Sequence, residues 1–159
     1  MRLGRAAAYA VFATTHLAEN GSGTPIQGRD IADSCGIPSG HLLKILQQLV
    51  RAQVLSSERG PAGGFVLRKS PAEISLLEIV EAIEGPINGD LLLRNVATGK
   101  EVARQRLEET CQKVANFAKN LLARTYISDF TAKSAVPSLG ASLGVGAASG
   151  AREYARPAS

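Results

Sequence analysis

Two neighbouring segments restrict the fold of this 159-residue chain more than any other feature. In residues 31–46, an apolar helical pattern stops at Gly36 and resumes after Pro38, which predicts a short helix, a tight turn and a second helix. In residues 59–67, three glycines and a proline precede an apolar strand, which predicts a hairpin with a tight tip. This order is the layout of a winged helix-turn-helix, in which one helix enters the major groove of DNA and the hairpin lies near the minor groove.

The apolar spacing elsewhere predicts a mainly α protein with a small β wing. The predicted helices span residues 3–19, 28–34, 38–53, 73–84 and 99–124, and the predicted strands span residues 54–58 and 65–68. Three of these helices each carry an apolar stripe that is predicted to face a common core. The stripe of the first helix is Leu3, Ala7, Ala10, Val11, Thr14 and Leu17. The stripe of helix 38–53 is Leu42, Leu46, Leu49 and Val50, and that of helix 73–84 is Ile74, Leu77, Val80 and Ala82 or Ile83. Residues 90–98 have no clear pattern.

The predicted helix 38–53 has a polar face apart from its apolar one. Its polar side chains recur at steps of three and four residues and are His41, Lys44, Gln48 and Arg51. Side chains of these types bind phosphates and base edges. Arg59 stands at the entrance to the glycine-rich tip. The alternative for each of these side chains is an exposed residue that contacts only solvent.

Positive charge is concentrated in the same part of the chain. The chain carries a net charge of +4; residues 1–70 hold 8 Lys and Arg against 4 Asp and Glu, residues 71–130 hold 7 against 9, and residues 131–159 hold 3 against 1. The basic excess therefore coincides with the predicted helix-turn-helix, where neutralisation of phosphates would require it.

The predicted helix 99–124 carries a coiled-coil-like seam. Its apolar residues alternate at steps of four and three and are Leu107, Cys111, Val114, Ala118 and Leu121. One helix cannot bury such a stripe by itself, so we expect this seam to join two copies of the chain as a homodimer. From Thr131 the composition changes, with 8 Ala, 5 Ser and 4 Gly among 29 residues and no apolar period, which predicts a disordered tail over residues 131–159.

Neither catalysis nor membrane insertion is indicated. No apolar run approaches the roughly 20 residues of a membrane helix, and the basic N-terminus precedes a segment without a clear cleavage site, so we expect a cytoplasmic protein with no membrane partner. No Ser-His-Asp pattern appears, and residues 60–64 lack the Lys-Ser or Lys-Thr pair of a nucleotide-binding loop. We therefore expect no enzymatic activity.

The two cysteines and His41 leave alternatives open. Cys35 and Cys111 form neither a disulfide framework nor a zinc pattern. Cys35 is either a redox sensor or a small buried residue, and Cys111 either forms an intersubunit disulfide or fills the core. His41 has no partner nearby that would make it a metal ligand, so we expect no metal site.

Four segments of the chain follow a known pattern: Leu3 to Ala10, residues 31–49, residues 74–85 and, most specifically, Arg59-Gly60-Pro61-Ala62-Gly63-Gly64-Phe65. Over about residues 1–130 the chain resembles the winged-helix bacterial transcription regulators typified by IscR, NsrR and CymR, the Rrf family. The resemblance implies a winged helix-turn-helix over residues 1–85, a linker and long dimerisation helix over residues 86–130, and a homodimer on a palindromic operator. The DNA contacts that it implies, together with Arg51 from the polar face, are Ser39, Gly40, His41, Lys44, Arg59, Gly60, Pro61, Gly63 and Gly64.

The chain departs from that family in one region. Many members hold an iron–sulfur cluster with three cysteines between the short helix and the long helix. Residues 85–110 contain neither Cys nor His, whereas a cluster needs about four protein ligands, mostly thiolates. We therefore expect a cluster-free branch with no cofactor, whose effector is a small molecule, a partner protein or none.

The sequence thus predicts a DNA-binding transcription regulator that acts as a repressor on double-stranded DNA. The alternative is a protein-interaction module of the same fold that has lost specific operator binding and acts through its dimer helix or its acidic middle region. Affinity for DNA with a steep salt dependence distinguishes the two.

Overall fold

The computed structural model describes residues 3–90 and 100–132, and every predicted helix and strand is present with bounds within three residues of the prediction. The elements are α1 (Arg5–Asn20), α2 (Gly28–Cys35), α3 (Ser39–Arg51), β1 (Leu55–Glu58), β2 (Gly64–Leu67), α4 (Leu76–Glu84) and α5 (Glu101–Ala123), followed by a 3-10 helix (Ile127–Phe130). The predicted tail lies outside the described residues from position 133 on, and so does most of the unpatterned segment 90–98.

The turn between α2 and α3 follows from one glycine. Gly36 adopts the left-handed conformation, with φ 63° and ψ 31°, which a residue with a Cβ atom rarely adopts. The N–H of Ile37 then donates to the Ala32 carbonyl at 2.9 Å and closes the end of α2. Pro38 follows as the residue before α3, where its missing N–H removes no helical hydrogen bond.

The core lies between α1, α3 and α4, with α2 packed against the first two. Ala7, Ala10, Val11, Thr14 and Leu17 of α1 are buried as predicted, as are Leu42, Leu46 and Leu49 of α3. The prediction for Leu3 was wrong, because Leu3 precedes α1 and is exposed. Val50 is half-buried and packs against the core, and Ile45, which was not predicted, is buried there as well.

Helix α4 begins three residues later than predicted because Ser75 caps it. The Ser75 hydroxyl accepts the N–H of Glu78 at 3.2 Å, and the Glu78 carboxylate accepts the N–H of Ser75 at 3.0 Å. Partial burial raises the pKa of Glu78, but its ion pair with Lys69 and its hydrogen bonds with Ser75 outweigh burial and leave the pKa below its usual value. Ile74 and Val80 are buried as predicted, and Leu77, Ala82 and Ile83 are half-buried against the core. Leu76 and Ile79, which were not predicted, are buried as well.

The wing is an antiparallel hairpin of β1 and β2 in which Leu55 faces Leu67 and Glu58 faces Gly64. It does not stand free. Ile26, in the loop before α2, donates its N–H to the Phe65 carbonyl at 3.0 Å and accepts the Phe65 N–H at 2.8 Å. These two bonds fix the hairpin against the start of the helix-turn-helix.

Helix α5 packs on α4 through one side only. Its buried residues are Ala115 and Leu122. Beyond its end, the N–H of Ile127 donates to the Ile74 carbonyl at 3.0 Å and the N–H of Leu76 to the Thr125 carbonyl at 2.7 Å, which ties the chain back to the core. In the two described stretches, none of the helices is both long and apolar enough to cross a membrane.

Candidate nucleic-acid interface

Helix α3 turns a polar face to solvent. Its buried side is formed by Leu42, Ile45, Leu46 and Leu49, and about half a turn away lie Gly40, Lys44, Gln47 and Arg51, all exposed. Lys44 and Arg51 therefore lie where they were predicted. Gln48, which was predicted on this face, is half-buried at its edge, and the exposed Gln47 was not predicted.

A groove follows α3 on one flank, where the first turns of α1 approach it. It has a volume of about 350 Å³ and is lined by Arg5, Ala6 and Tyr9 of α1 and by His41, Lys44, Ile45 and Gln48 of α3. His41 is thus placed beside the polar face rather than at its centre. Arg5 was not predicted as a site residue, because its approach to α3 depends on how two helices distant in sequence cross.

A second groove lies on the other flank, between α3 and the wing. It has a volume of about 510 Å³ and is lined by Gly28, Arg29, Ser39, Leu43 and Phe65. Leu43 is apolar yet 49% exposed. An apolar side chain on a helix that faces DNA can contact the methyl group of thymine, so Leu43 joins the candidate contacts that sequence reasoning missed.

The wing tip brings Arg59 and Pro61 to the surface close to α2. Arg59 is exposed, and the Gln27 side-chain amide donates to the Pro61 carbonyl at 3.3 Å. Gly60 has a φ of 114°, which favours glycine. Gly63 and Gly64 have a different requirement, since a Cβ atom would overlap the Glu58 carbonyl at the first position and the Ile26 carbonyl at the second. Packing alone thus accounts for these two glycines.

We expect Gly64→Ala to destabilise the protein by about 1–3 kcal/mol, because the new methyl group meets rigid backbone of the loop before α2. Urea unfolding followed by circular dichroism measures the effect. Gly40→Ala is the matched control, because a Cβ atom at Gly40 meets nothing within 4 Å and Ala favours the helix. Equal unfolding midpoints for the Gly64 variant and wild type would contradict the packing argument.

Among the described residues, none of the cations of this surface forms an ion pair. In residues 3–90 and 100–132 the ion pairs join Lys69 to Glu78, Arg104 to Glu108 and Lys119 to Glu81. None of these pairs involves the basic residues on α1, α2, α3 or the wing tip, which are Arg5, Arg29, Lys44, Arg51 and Arg59. Unpaired cations on one surface are suited to a polyanion, because they need not give up an ion pair when they bind it.

Cys35 and Cys111 are both free thiols. Burial raises the pKa of the Cys35 thiol, which disfavours the thiolate that a redox sensor needs. Cys111 is a free, half-buried thiol on α5. Within the described part of the chain, no three His, Cys, Asp or Glu side chains come together in a way that could hold a metal ion.

Comparisons with known proteins agree with this geometry. Residues 3–133 match the Rrf2 family, described as iron-dependent transcriptional regulators. A Mycobacterium tuberculosis protein named as an HTH-type transcriptional regulator is 38% identical over 87 residues, which cover 55% of this chain and 54% of that protein. The HTH-type transcriptional regulator IscR of Escherichia coli is 32% identical over 88 residues, which cover 55% of this chain and 54% of that protein. The chain thus spans about half the length of the curated relatives it matches.

Solved structures extend the likeness beyond that half. A transcriptional regulator from Listeria innocua is similar over 98% of this chain and 97% of its own, with a TM-score of 0.67 and 25% identity. CymR, the global cysteine regulator of Bacillus subtilis, is similar over 85% of this chain and 99% of its own, with a TM-score of 0.67 and 23% identity. The second likeness concerns the fold alone, and both describe a winged-helix architecture.

Proposed function

Because the chain belongs to the Rrf2 family of transcriptional regulators, we propose that it is a DNA-binding repressor that acts as a homodimer on a palindromic operator. The observation that carries the proposal is the unpaired basic surface of α3 and the wing tip. A helix with a polar outer face, flanked by a hairpin with an arginine at its tip, has the shape and charge to enter a major groove and reach the adjacent backbone or minor groove.

The proposed contacts divide into two sets. On α3 they are Ser39, Gly40, His41, Lys44 and Arg51, and on the wing they are Arg59, Gly60, Pro61, Gly63 and Gly64. The α3 residues would meet base edges and nearby phosphates, and the wing residues would meet the backbone or the minor groove. Gly63 and Gly64 would contribute through the shape of the tip, given how closely they approach neighbouring backbone.

Helix α5 supports the proposed homodimer. Of the predicted seam, Leu107, Val114 and Leu121 are exposed, while Cys111 and Ala118 are half-buried. Phe117, not predicted, is exposed beside them. Because the buried side of α5 is formed by Ala115 and Leu122, next to this stripe, a second copy would cover its exposed part. Two winged helices held by one seam would then meet two half-sites about one turn of DNA apart.

This arrangement corresponds to a proposed division into a DNA-binding unit (residues 1–85), a linker with the dimerisation helix (86–130) and a tail (131–159). The protein would act in the cytoplasm, where the DNA is. Its effector would be a small molecule, a partner protein or none.

Selection of binding sites from fragmented genomic DNA with the purified full chain tests the proposal. We expect enrichment of one palindromic sequence upstream of genes, with an affinity that falls steeply as salt rises. A protein-interaction module of the same fold would enrich no sequence and bind DNA weakly at every salt concentration.

The iron dependence in the description of the family does not suit the residues of this chain. A cluster would require about four ligands, mostly thiolates, and the chain has only Cys35 near the turn of the helix-turn-helix and Cys111 on α5. Residues 85–110 supply neither Cys nor His. We therefore place the chain in a cluster-free branch and assign no step of its action to a cluster.

The purified protein should accordingly be colourless. After anaerobic reconstitution with iron and sulfide, followed by desalting, we expect no visible absorption band and far less than one iron per protomer. Cys111→Ser is the control, and it should give the same spectrum as wild type. Stoichiometric iron that is lost in the Cys111→Ser variant would overturn the assignment.

A further inference from the structure

The groove between α1 and α3 has a feature that the proposed contacts leave unused. Arg5, the first residue of α1, lines it together with Lys44 of α3. Both side chains are exposed, and neither has an ion-pair partner in the part of the chain that the structure describes. Two cations from separate helices thus border one open groove of about 350 Å³.

Polar groups of the groove add hydrogen-bonding capacity to this charge. Tyr9 and Gln48 line it and are half-buried, which restricts their side chains more than those of fully exposed residues. Gly4, the residue before α1, supplies no side-chain cap, and the Glu84 carboxylate accepts its N–H at 2.5 Å. Because that carboxylate already lies at the start of α1, the donors offered to an anion are the side chains of the groove rather than the helix end.

We infer that this groove binds a backbone phosphate of the operator, with Arg5 as its charged donor and Tyr9 and Gln48 as neutral ones. The inference rests on the proposed function and adds a contact from α1 to it. A phosphate diester fits because it carries one negative charge with several acceptor oxygens and lies immediately beside a helix placed in the major groove. Arg5 would set the register of α3 on the duplex without selecting bases.

Lys44 borders both the groove and the polar face of α3. It can therefore serve base recognition while Arg5 serves the backbone. The two roles predict different effects on the ratio of affinities for operator and scrambled DNA. Loss of Arg5 should weaken binding to all sequences equally, whereas loss of a base contact should change the ratio between sequences.

The test compares Arg5→Gln with wild type on the selected operator and on a scrambled duplex at several salt concentrations. We expect Arg5→Gln to weaken binding to both duplexes, to leave their affinity ratio unchanged, and to lower the salt slope by about one unit for each bound protomer. Arg5→Lys should retain most of the slope. Arg124→Gln is the charge-matched control, since Arg124 is exposed beyond α5 and lines neither of the two grooves beside α3.

A second measurement locates the phosphate. Operators in which single phosphates are replaced by neutral methylphosphonates should include one position per half-site that weakens wild-type binding but not binding by Arg5→Gln. This non-additivity identifies a direct contact. A wild-type slope for Arg5→Gln, or additive effects at every phosphate, would overturn the inference while leaving operator binding intact. Failure of the wild-type protein to select any sequence would instead overturn the proposed function.

Discussion

Replacement of both Val114 and Leu121 with aspartate is expected to convert the dimer into a monomer and to abolish measurable operator binding. In a single protomer these side chains are 59% and 57% exposed, so the variant should fold. In the proposed seam they would become buried against a second copy, and an unpaired buried carboxylate costs several kcal/mol. Two such residues in each protomer would place four carboxylates in the seam, where they would also repel one another.

Operator binding should fall with dimerisation because the two winged helices would no longer be held together. Without the partner, a second half-site no longer benefits from the high effective concentration that the first contact provides, an effect that reaches factors of about 10²–10⁴. Light scattering measures the mass, circular dichroism confirms the helical content, and a gel-shift titration on the operator measures the affinity.

Asn116→Asp combined with Asn120→Asp is the matched control. These exposed residues lie on α5 away from Val114 and Leu121, and the double variant adds the same charge to the same helix. We expect it to remain dimeric. A dimer for the Val114 and Leu121 variant, or a monomeric wild-type protein at micromolar concentration, would show that α5 does not join the two copies.

Local sequence rules predicted the helix-turn-helix because its geometry is decided by a few residues. Gly36 ends α2 in a conformation that glycine adopts freely, and Pro38 stands where α3 begins. Gly60, with a φ of 114°, marks the tip of the wing in the same way. Such rules succeed where one residue adopts a backbone conformation that its own side chain, or the lack of one, decides.

The same rules were incomplete where burial depends on the direction of a face. The prediction for α4 used a three-residue step from Ile74 through Leu77 to Val80, and three residues fall about 60° short of a full helical turn. Leu77 is accordingly only half-buried, whereas Leu76 and Ile79, which that step passes over, are buried beside Val80.

The candidate site was predicted in part for a related reason. The polar face of α3 could be read from spacing within one helix, so Lys44 and Arg51 were found. Arg5 and Leu43 were not, since their relevance depends on what lies beside α3. Arg5 belongs to a groove formed by two helices, and Leu43 to one formed with the wing. Only the crossing of these elements in space brings such residues together.

Lys44→Ala and Arg59→Ala are expected to weaken DNA binding in two different ways. Lys44 lies on the exposed face of α3, from which its side chain can reach base edges, and one good contact discriminates between bases by about 1–3 kcal/mol. We therefore expect Lys44→Ala to reduce the preference for operator over scrambled DNA by about 5-fold to 150-fold per half-site.

Arg59 lies at the narrow tip of the wing, which suits the minor groove or its phosphates. Arg59→Ala should weaken binding to both duplexes and lower the salt slope by about one unit for each protomer.

Titration of both variants on operator and scrambled duplexes, at several salt concentrations, separates these effects. Arg106→Ala is the control, because Arg106 is an equally exposed cation on α5 rather than on the winged helix. If Lys44→Ala leaves the operator-to-scrambled ratio intact, α3 does not read bases through this residue. If Arg59→Ala binds like wild type at every salt concentration, the wing does not touch DNA. The wing is tied to the loop before α2 by the two backbone hydrogen bonds between Ile26 and Phe65. We therefore expect α3 and the wing tip to approach one duplex as a rigid unit. Loss of the Lys44 contact or of the Arg59 contact should then leave the other contact in place on the DNA.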